Sequence, residues 1–524
     1  MAMGETIYHN ARVWTGLDSP RFVSSFRVDG GRIVELDCEH EEVSCESVDL
    51  GGRFISPGLI DAHLHLLSGG ESLMQVDLST VSSREEFQDV LAEAHEKLAP
   101  DRWLIASGWS ENRWESKQVP DKSWLACCGT RPVVCWRMDL HTAVVNDAVL
   151  AHLSLPDDET LEAEGGRVLR GDDGGMTGVL QEAAAWYHLI PALPDLPIED
   201  RRVALQSAHQ HCLRLGITSV RSMEYSEDVQ SLHMKRTESG SLRVSIVLLD
   251  RTLPLSLDWL QEARRDEWFR ITGCKSFLDG TLGSRTARLE QPYADAHGNQ
   301  GVFTEHLLEG TLAQWAQEVV AGGCAPVMHA IGDSAILAGL DIARTVGPDI
   351  RTSVEHVEVV TDGVLLELDR LPGVRLSVQP LHRADDAVFA ESALGAERAA
   401  GLLPLASLIK CGARLSFGSD WPVVSVDPLE GMAAAITGHD VRGTAFHPEQ
   451  VIGVEDALQG YSVHAAEVAG LDHVGSLGIG QTADFIAWSE DPFKFDWTQG
   501  KPSIVATFMA GELVEGTLQG AEAI

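Results

Sequence analysis

Two histidines separated by one residue stand out in the segment GLIDAHLHL, where His63 and His65 interrupt an otherwise apolar run. Successive side chains of a β-strand alternate between its two faces, so both imidazoles are expected to point the same way. Two imidazoles on one face can bind a single divalent metal ion. The alternative is a pair of core histidines whose hydrogen bonds are satisfied within the protein.

Two later apolar runs each carry one more histidine, His329 in VMHAIGD and His356 in VEHVEV. The two residues lie 27 positions apart, which is close to the length of one βα unit. On successive parallel strands, the two imidazoles would reach the same height and could share a ligand. A single histidine in an apolar run is otherwise a packed core residue.

Two further side chains carry charge at the ends of apolar runs. Asp420 follows LSFGS, and burying its carboxylate is costly unless a cation or a metal ion pairs with it. The alternative is that Asp420 caps the next helix. Lys275 lies inside ITGCKSFLDG, where a buried amine must lose its charge or find a partner, for instance Asp279. A neutral amine can instead add carbon dioxide, and the resulting carbamate has two oxygens that can bridge two metal ions.

Short apolar runs that alternate with longer amphipathic segments would position these side chains. The runs are GLIDAHLHL, WLIASGW, GITSVRSM, FRITGCKSF, CAPVMHAIG, TSVEHVEVV, VRLSVQP and ARLSFGSDW. Such alternation predicts βα units and a parallel sheet, and about eight strands fit a (β/α)₈ TIM barrel over residues 58–479. A doubly wound sheet is the alternative. In a barrel, the metal-capable residues would meet at the carboxyl ends of the strands, where barrel active sites form.

The two ends of the chain have a different pattern. Residues 1–57 and 480–524 contain short alternating runs with Asp-Gly and Gly-Gly turns, which predict antiparallel hairpins. We expect these ends to form one small β-sandwich domain, so that the α/β fold is a distorted barrel plus this sandwich. Residues 110–195 are rich in Pro, Gly and Asp and are predicted to form a long insertion over one barrel face.

Composition restricts the classes of partner. The 524 residues include 40 lysines and arginines against 78 aspartates and glutamates, a formal net charge of −38. Such a chain repels phosphate backbones and anionic lipids, so neither nucleic acid nor a membrane is expected as a partner. Nine scattered cysteines without a CxxC motif, no signal peptide and no long apolar run predict a reduced, cytoplasmic protein. The sequence contains neither GxGxxG after a strand nor a P-loop.

The ordered set PGLIDAHLHL, GCKSFLDGTLGSRTA, HAIGD, VEH and FGSDWPV resembles the metal-dependent amidohydrolase superfamily. More narrowly, it is similar to the YtcJ-like, amidohydrolase-3 branch, which includes N-substituted formamide deformylase. GWSENRW, GVLQEAA, LGITSV and GIGQTADFIAW also match that branch. The resemblance covers essentially the whole chain. It implies a distorted barrel that holds one or two divalent ions, with zinc as the expected metal.

The resemblance also implies a role for each of the six residues. By position, the first ion would be bound by His63, His65 and Asp420, the second by His329 and His356, and a carbamylated Lys275 would bridge them. The implied reaction is hydrolysis of an amide, N-formyl or N-acyl C–N bond of a small molecule by metal-activated water. Asp420 would carry the proton, and a second ion or a histidine such as His329 would polarise the carbonyl.

Alternatives to hydrolysis are a lyase or isomerase that uses the metal as a Lewis acid, and an inactive relative that serves as a binding or scaffold protein. The expected partner is a small-molecule substrate, and a homodimer is one assembly open to the chain. Candidate substrate contacts follow predicted strands or lie in loops: Trp109, Arg113, Trp114, His141, Glu182, Ser284, Arg285, Gln379 and His382. The tryptophans could instead anchor the insertion, and Arg285 could instead pair with Asp279 or Asp295.

Overall fold

The computed structural model describes residues 5–38, 45–109, 111, 114–116, 118–137, 142–163, 166–182, 184–235, 242–263, 265–283, 285–371 and 373–518. The chain divides into two compact units. Unit one comprises Met1–Gly69 and Gln206–Ile524, and unit two comprises Gly70–Leu205. Across the described residues, no helix combines the length and the apolar character that crossing a bilayer requires.

The strands are numbered in chain order. They are β1 (Thr6–His9), β2 (Arg12–Trp14), β3 (Phe22–Val23), β4 (Phe26–Asp29), β5 (Arg32–Leu36), β6 (Glu46–Asp49), β7 (Phe54–Pro57), β8 (Leu59–Leu64), β9 (Val76–Asp77), β10 (Leu104–Trp109), β11 (Val133–Arg137), β12 (Thr142–Val145), β13 (Gly166–Arg170), β14 (Met176–Glu182), β15 (Ile217–Glu224), β16 (Arg243–Leu248), β17 (Phe269–Phe277), β18 (Ala325–Ala330), β19 (Ser353–His356), β20 (Arg375–Val378), β21 (Arg414–Phe417), β22 (Phe485–Trp488), β23 (Ile504–Met509) and β24 (Glu512–Gly516).

The α-helices are α1 (Leu66–Ser72), α2 (Arg84–Lys97), α3 (Asp147–Leu150), α4 (Asp158–Ala163), α5 (Ile198–Arg214), α6 (Ser226–Ser231), α7 (Glu305–Glu309), α8 (Leu312–Ala321), α9 (Asp333–Val346), α10 (Asp362–Asp369), α11 (Pro380–Asp386), α12 (Ala390–Leu394), α13 (Ala396–Ala399), α14 (Leu405–Lys410), α15 (Pro428–Thr437), α16 (Val454–Gly460) and α17 (Val463–Ala469). Shorter helical turns span Lys122–Cys128, Ala184–Leu189, Ile190–Ala192, His233–Lys235, Asp258–Gln261, Pro448–Gln450 and Trp497–Gln499.

Eight parallel strands form the central sheet of unit one, in the order β8-β15-β16-β17-β18-β19-β20-β21. Strands β8, β15, β16 and β18 are buried along their whole length, as expected for strands covered on both faces. The first and last strands approach each other where the Asp420 amide, just beyond β21, donates to the His63 carbonyl at 2.6 Å. The predicted barrel is thereby confirmed, and the doubly wound alternative is excluded.

The strand inventory of the barrel differs from the predicted one at a single place. The run WLIASGW is β10, which belongs to the sheet of unit two rather than to the barrel. The missing barrel strand is β16, which pairs in parallel with both β15 and β17. Local apolar patterning identifies a buried strand but not the sheet that it joins, which is why the two were exchanged.

Unit one has two further sheets, one with strands from both ends of the chain and one with strands from the N-terminal part alone. A six-stranded sheet has the order β24-β23-β22-β7-β2-β3, and a four-stranded sheet has the order β5-β4-β1-β6. Strand β7 from the N-terminal part pairs antiparallel with β22 from the C-terminal part. Aromatic rings fill the core of this region, where the Phe485 and Phe508 rings stack 4.3 Å apart. The structure thus has a sheet built from both termini, and the boundary at residues 57/58 stays a prediction because unit one contains both regions.

Unit two is built on a sheet with the order β13-β14-β12-β11-β10-β9. Its core includes Phe87, Trp109, Trp114 and Trp124, and the Trp114 and Trp124 rings stack with centroids 5.5 Å apart. The unit spans Gly70–Leu205 and so begins about forty residues before the predicted insertion at 110–195. The early part is absent from the prediction because its strand–helix–strand pattern is locally the same as a barrel βα unit.

The buried side chain of Asn146 joins two strand ends and a helix in unit two. Its Oδ1 accepts from the amides of Val133 and Val149, and its Nδ2 donates to the Arg131 carbonyl at 2.7 Å. We expect Asn146→Ala to lower the free energy of unfolding by about 1–3 kcal/mol, because it removes the cap of α3 and leaves buried backbone groups unpaired. Urea unfolding followed by circular dichroism measures this loss. The matched variant Asn146→Asp keeps the acceptor and should lose less; equal stability of Asn146→Ala and the parent would contradict the assignment.

Candidate metal centre

The carboxyl ends of the barrel strands bring together the six residues that the motifs single out. They are His63 on β8 and His65 just after it, Lys275 on β17, His329 on β18, His356 at the end of β19 and Asp420 after β21. His63, Lys275, His329, His356 and Asp420 are all buried in unit one. The six residues therefore lie in one region of the fold, although they are spread over more than three hundred residues of sequence.

Asp420 lies between two sets of imidazoles. Its Oδ1 is 3.4 Å from His63 Nε2 and 3.3 Å from His65 Nε2. One ligand atom from each of these three residues lies within 4.8 Å of the others, so the set could hold a metal ion. A second set that satisfies the same criterion consists of His356, His382 and Asp420. The carboxylate is thus shared by the two sets.

Three polar atoms of these sets lack a hydrogen-bond partner among the residues that the structure describes: His356 Nε2, His382 Nε2 and Asp420 Oδ1. A buried polar atom that stays unpaired costs about 1–3 kcal/mol, so three of them in one place call for a ligand. Imidazole nitrogen and carboxylate oxygen are the donor types that zinc and similar divalent ions take. The residues present therefore fit a divalent metal ion.

The electrostatics of the histidines also suit metal binding. Burial and, as a smaller cause, the charge of nearby Lys275 lower the pKa of His63 to about 4 and that of His329 to about 3. Burial likewise holds the pKa of His356 well below its usual value. These imidazoles are therefore neutral at pH 7, and the neutral ring is the form that coordinates a metal.

His382 takes a different place from the predicted one. It was expected to contact substrate, but its ring stacks parallel to the His356 ring at 5.9 Å and belongs to the second ligand set. Burial lowers its pKa, yet the hydrogen bond to Glu358 and the charge of Asp420 outweigh burial and raise it. His329 instead places its Nε2 3.1 Å from the Gly280 carbonyl. The His329 ring also lies beside the His356 ring, with centroids 4.5 Å apart, so a metal ion shared by His329 and His356 stays a prediction.

Lys275 is completely buried, and its Nζ is 3.0 Å from His63 Nε2. Burial is the largest cause of the lowered pKa of Lys275, and the charges of Arg221 and Arg251 lower it further. The alternative salt bridge to Asp279 is not what the structure shows. Asp279 accepts instead from the amides of Ile331 and Gly332, at 3.0 and 2.8 Å. A buried lysine with a lowered pKa has a larger fraction of free amine, the form that can add carbon dioxide.

Glu355 is a functional residue that the motifs did not indicate. Its Oε2 accepts from His63 Nδ1 at 2.6 Å, and its Oε1 accepts from Arg221 Nη1 at 2.9 Å. Burial raises the pKa of Glu355, but Arg221 and His63 outweigh burial and hold it below its usual value. The carboxylate fixes the proton on Nδ1, which leaves the lone pair of Nε2 free to face the centre. The sequence contains a sign of this contact, because a glutamate lies inside the apolar strand SVEH and an arginine lies inside the apolar strand ITSVRSME.

The backbone holds two of the candidate ligands in the left-handed region. His356 has φ +72° and Asp420 has φ +59°, conformations that are uncommon for residues other than glycine and that cluster at functional sites. The alternative role of Asp420 as a helix cap does not apply. The next helix, α15, begins at Pro428 and is capped by Asp427, whose Oδ1 accepts from the Leu429 amide at 2.9 Å.

The predicted substrate contacts Trp109 and Trp114 are instead core residues of unit two. Both indoles are buried, and their Nε1 atoms donate to the carbonyls of Cys135 and Val81 at 3.0 and 2.7 Å. The structure thus agrees with the alternative, in which the tryptophans anchor this part of the chain. Their role in binding a substrate stays a prediction.

The remaining candidates divide into three groups. Arg285 forms an ion pair with Asp295 at 2.5 Å rather than with Asp279. Gln379 places its Oε1 2.9 Å from His356 Nδ1, so it orients a candidate ligand. Arg113, His141 and Ser284 lie outside the described residues. The side chain of Glu182 is likewise outside the described part of the structure.

The arrangement agrees with a family comparison. A model of the amidohydrolase family matches residues 46–515 of the chain. The protein belongs to the amidohydrolase family. This confirms the resemblance that the motifs indicated.

Alignments with curated relatives cover almost the whole length of this amidohydrolase. Protein LONG AFTER FAR-RED 3 of Arabidopsis thaliana is 30% identical, over 97% of this chain and 91% of the relative. The amidohydrolase YtcJ of Bacillus subtilis is 28% identical, over 94% of this chain and 96% of the relative. N-substituted formamide deformylase of Arthrobacter pascens is 23% identical, over 89% of this chain and 90% of the relative.

A solved structure supports the fold of this amidohydrolase. An uncharacterized metal-dependent hydrolase from Pyrococcus horikoshii superimposes with a TM-score of 0.78 and 26% sequence identity. The match covers 95% of this chain and 99% of the other. The shared architecture includes the barrel whose strand ends carry the two ligand sets.

Proposed function

We propose that the protein is a metal-dependent hydrolase that cleaves a C–N bond of a small amide, N-formyl or N-acyl compound. The observation that carries this proposal is the convergence of three unpartnered buried donor atoms, on His356, His382 and Asp420, at the carboxyl ends of the barrel strands. The similarity to a relative named N-substituted formamide deformylase supports the class of substrate.

The residues that would hold the metal are the members of the two ligand sets together with a carbamylated Lys275. We propose zinc, as one or two ions, because the donors are imidazoles and a carboxylate. A bound divalent ion supplies a more acidic water and a Lewis acid for the carbonyl oxygen. Glu355 holds the Nδ1 proton of His63, and Gln379 positions the His356 ring through its Nδ1.

Asp420 is proposed to move the proton during the reaction. Its carboxylate would accept a proton from the attacking water and deliver it to the nitrogen of the leaving amine. Both oxygens lie beside imidazoles, so the carboxylate is held in one orientation. His329, on the adjoining strand β18, is proposed to bind the second ion with His356 or to polarise the substrate carbonyl.

The decisive experiment combines metal analysis with a substrate screen. The purified protein should contain zinc by elemental analysis and should release amine and formate or another acid from N-formyl and N-acyl amines. Dialysis against a chelator should abolish this activity, and added zinc should restore it. Undiminished activity of metal-free protein would contradict the proposal, and a product that is an isomer of the substrate would favour the lyase or isomerase alternative.

Removal of the buried lysine tests the bridging role separately. We expect Lys275→Ala to lower the metal content per chain, because the bridging ligand is lost, with partial recovery in the presence of short-chain carboxylic acids. Elemental analysis of the dialysed protein measures this content. Lys97→Ala is the matched control, since the Lys97 side chain is 72% exposed and pairs only with Glu93 among the described residues. Unchanged metal content in Lys275→Ala would argue against bridging.

The partners and the compartment follow from the same proposal. We propose a small-molecule substrate, no nucleic-acid or membrane partner, and a cytoplasmic protein that can form a homodimer. The formal net charge of −38 supports the exclusion of nucleic acid. Size-exclusion chromatography with light scattering tests the homodimer.

A further inference from the structure

A cavity of about 540 Å³ lies at the amino ends of the barrel strands, the opposite ends from those that carry the candidate metal ligands. Its wall includes Ile271 and Thr272 near the start of β17, Ala325 at the start of β18 and the Asp349–Arg351 loop before β19. All of the lining residues belong to unit one. The volume falls within the range of about 300–1,000 Å³ that is usual for small-molecule sites.

The wall of this cavity is positively charged although the whole chain is strongly acidic. Four arginines line it, Arg221, Arg265, Arg270 and Arg351, against the carboxylates of Asp349 and Asp472. Arg351 pairs with Asp472 at 2.5 Å, and Arg221 pairs with the buried Glu355. The wall therefore has more guanidinium groups than its own carboxylates can neutralise.

Two of the four arginines have no carboxylate partner within the described ranges of the chain. Arg265 reaches only the Leu260 carbonyl, at 3.5 Å, and Arg270 donates to the Gly470 carbonyl. A carbonyl accepts a hydrogen bond but does not cancel a full positive charge. Against these two guanidinium groups stands one lining carboxylate that forms no ion pair among the described residues, that of Asp349. The wall therefore keeps a net positive charge, which favours an anionic ligand.

Arg221 adds a buried donor to the same wall. The residue is 1% exposed, and its Nη1 and Nη2 donate to Glu355 and Ser353 at 2.9 and 3.0 Å. Its Nε is buried and has no hydrogen-bond partner in the part of the chain that the structure describes. An unpaired N–H of a charged group is costly to bury, so this atom is a second, independent sign of a missing acceptor.

Apolar side chains complete the wall, namely those of Ile271, Val320, Ile350 and Val468. We propose that this cavity binds a phosphate-bearing organic molecule of about nucleotide size, with the phosphate at Arg265 and Arg270 and the apolar body against these aliphatic groups. A phosphate monoester carries about −1.5 to −2 charges at pH 7, so it can pair with both guanidinium groups. Its oxygens also suit the bidentate geometry of guanidinium. The proposal does not depend on the reaction at the metal centre, although Arg221 lines the cavity and also pairs with Glu355 behind His63.

Isothermal titration of the full-length protein with AMP as the probe tests the site, with adenosine and inorganic phosphate as comparison ligands. We expect saturable one-to-one binding of AMP, with weaker binding of both comparison ligands. Arg265→Glu should weaken AMP binding at least about tenfold, because it replaces a charge-assisted contact by repulsion. Arg265 is exposed, so the variant should fold, and its thermal midpoint checks this.

The matched control is Arg344→Glu, which reverses an exposed arginine of α9 that pairs with Asp341 and Glu367 outside the cavity. It should bind AMP like the parent protein. Absence of AMP binding would overturn the proposal, as would equal affinity in Arg265→Glu and the parent. AMP binding that survives Arg265→Glu but disappears after chelation of the metal would assign the phosphate to the metal centre and would likewise overturn it.

Discussion

Asp420→Asn should reduce kcat/KM by at least about a thousandfold while the protein remains folded. The amide cannot accept a proton from water and carries no negative charge toward the imidazoles of His63 and His65, which face Oδ1 at 3.4 and 3.3 Å. The backbone hydrogen bond from residue 420 to the His63 carbonyl is unaffected by this substitution. Steady-state kinetics on the substrate found in the screen measures the loss, and circular dichroism checks the fold.

Asp427→Asn is the matched control for this variant. Asp427 lies seven residues further along, caps α15 and pairs with Lys501 at 2.5 Å. Asparagine is also a good helix cap, so this variant should keep nearly full activity. A rate close to that of the parent for Asp420→Asn would remove Asp420 from the proton-transfer role, whatever the metal content of the variant.

The second large effect concerns the buried ion pair behind His63. We expect Arg221→Met to lower the free energy of unfolding by about 3–5 kcal/mol, because it leaves the Glu355 carboxylate buried without its cation. The side chains of Arg221 and Glu355 are 2% and 0% exposed, so water cannot take over the contact. The shift of the urea midpoint measures this loss, and the metal content should fall too, since Glu355 orients His63.

A double variant separates the charge effect from the loss of packing. Arg221→Met combined with Glu355→Gln removes both charges, so it should be more stable than Arg221→Met alone. The interaction energy of the pair is the effect of the double variant minus the summed effects of Arg221→Met alone and Glu355→Gln alone. Equal stability of the double variant and of Arg221→Met would contradict the assignment of the loss to an uncompensated carboxylate.

The barrel was largely predictable because its strands are buried on both faces and therefore read as short apolar runs. One strand was assigned to the wrong sheet, which shows what local hydrophobic patterning cannot predict. WLIASGW and RVSIVL are equally apolar, yet the first forms β10 in unit two and the second forms β16 in the barrel. Which sheet a strand joins is decided by packing between distant segments, and no local periodicity encodes it.

The candidate site was predictable where residue chemistry is unusual for its surroundings, as for Lys275 in a buried strand. Contacts between segments were not. Glu355 supports His63 across 292 residues of sequence, and His382 joins a ligand set only because α11 turns its ring onto that of His356. For Trp109 and Trp114 the sequence left two roles open, because aromatic residues in a loop-like motif are equally compatible with a pocket and with a core, and the structure shows both in a core.

The junction between the terminal sheet and the barrel has a consequence for biosynthesis. Strand β7 continues through Gly58 into β8, which carries His63, while its neighbour β22 lies far along the chain. The Trp488 indole donates to Ser56 Oγ at 2.9 Å across 432 residues of sequence. During translation, strand β7, which leads into the strand that carries His63, lacks its neighbour β22 until Trp488 has left the ribosome. Folding of the centre is therefore coupled to a segment that the ribosome makes 432 residues after Ser56.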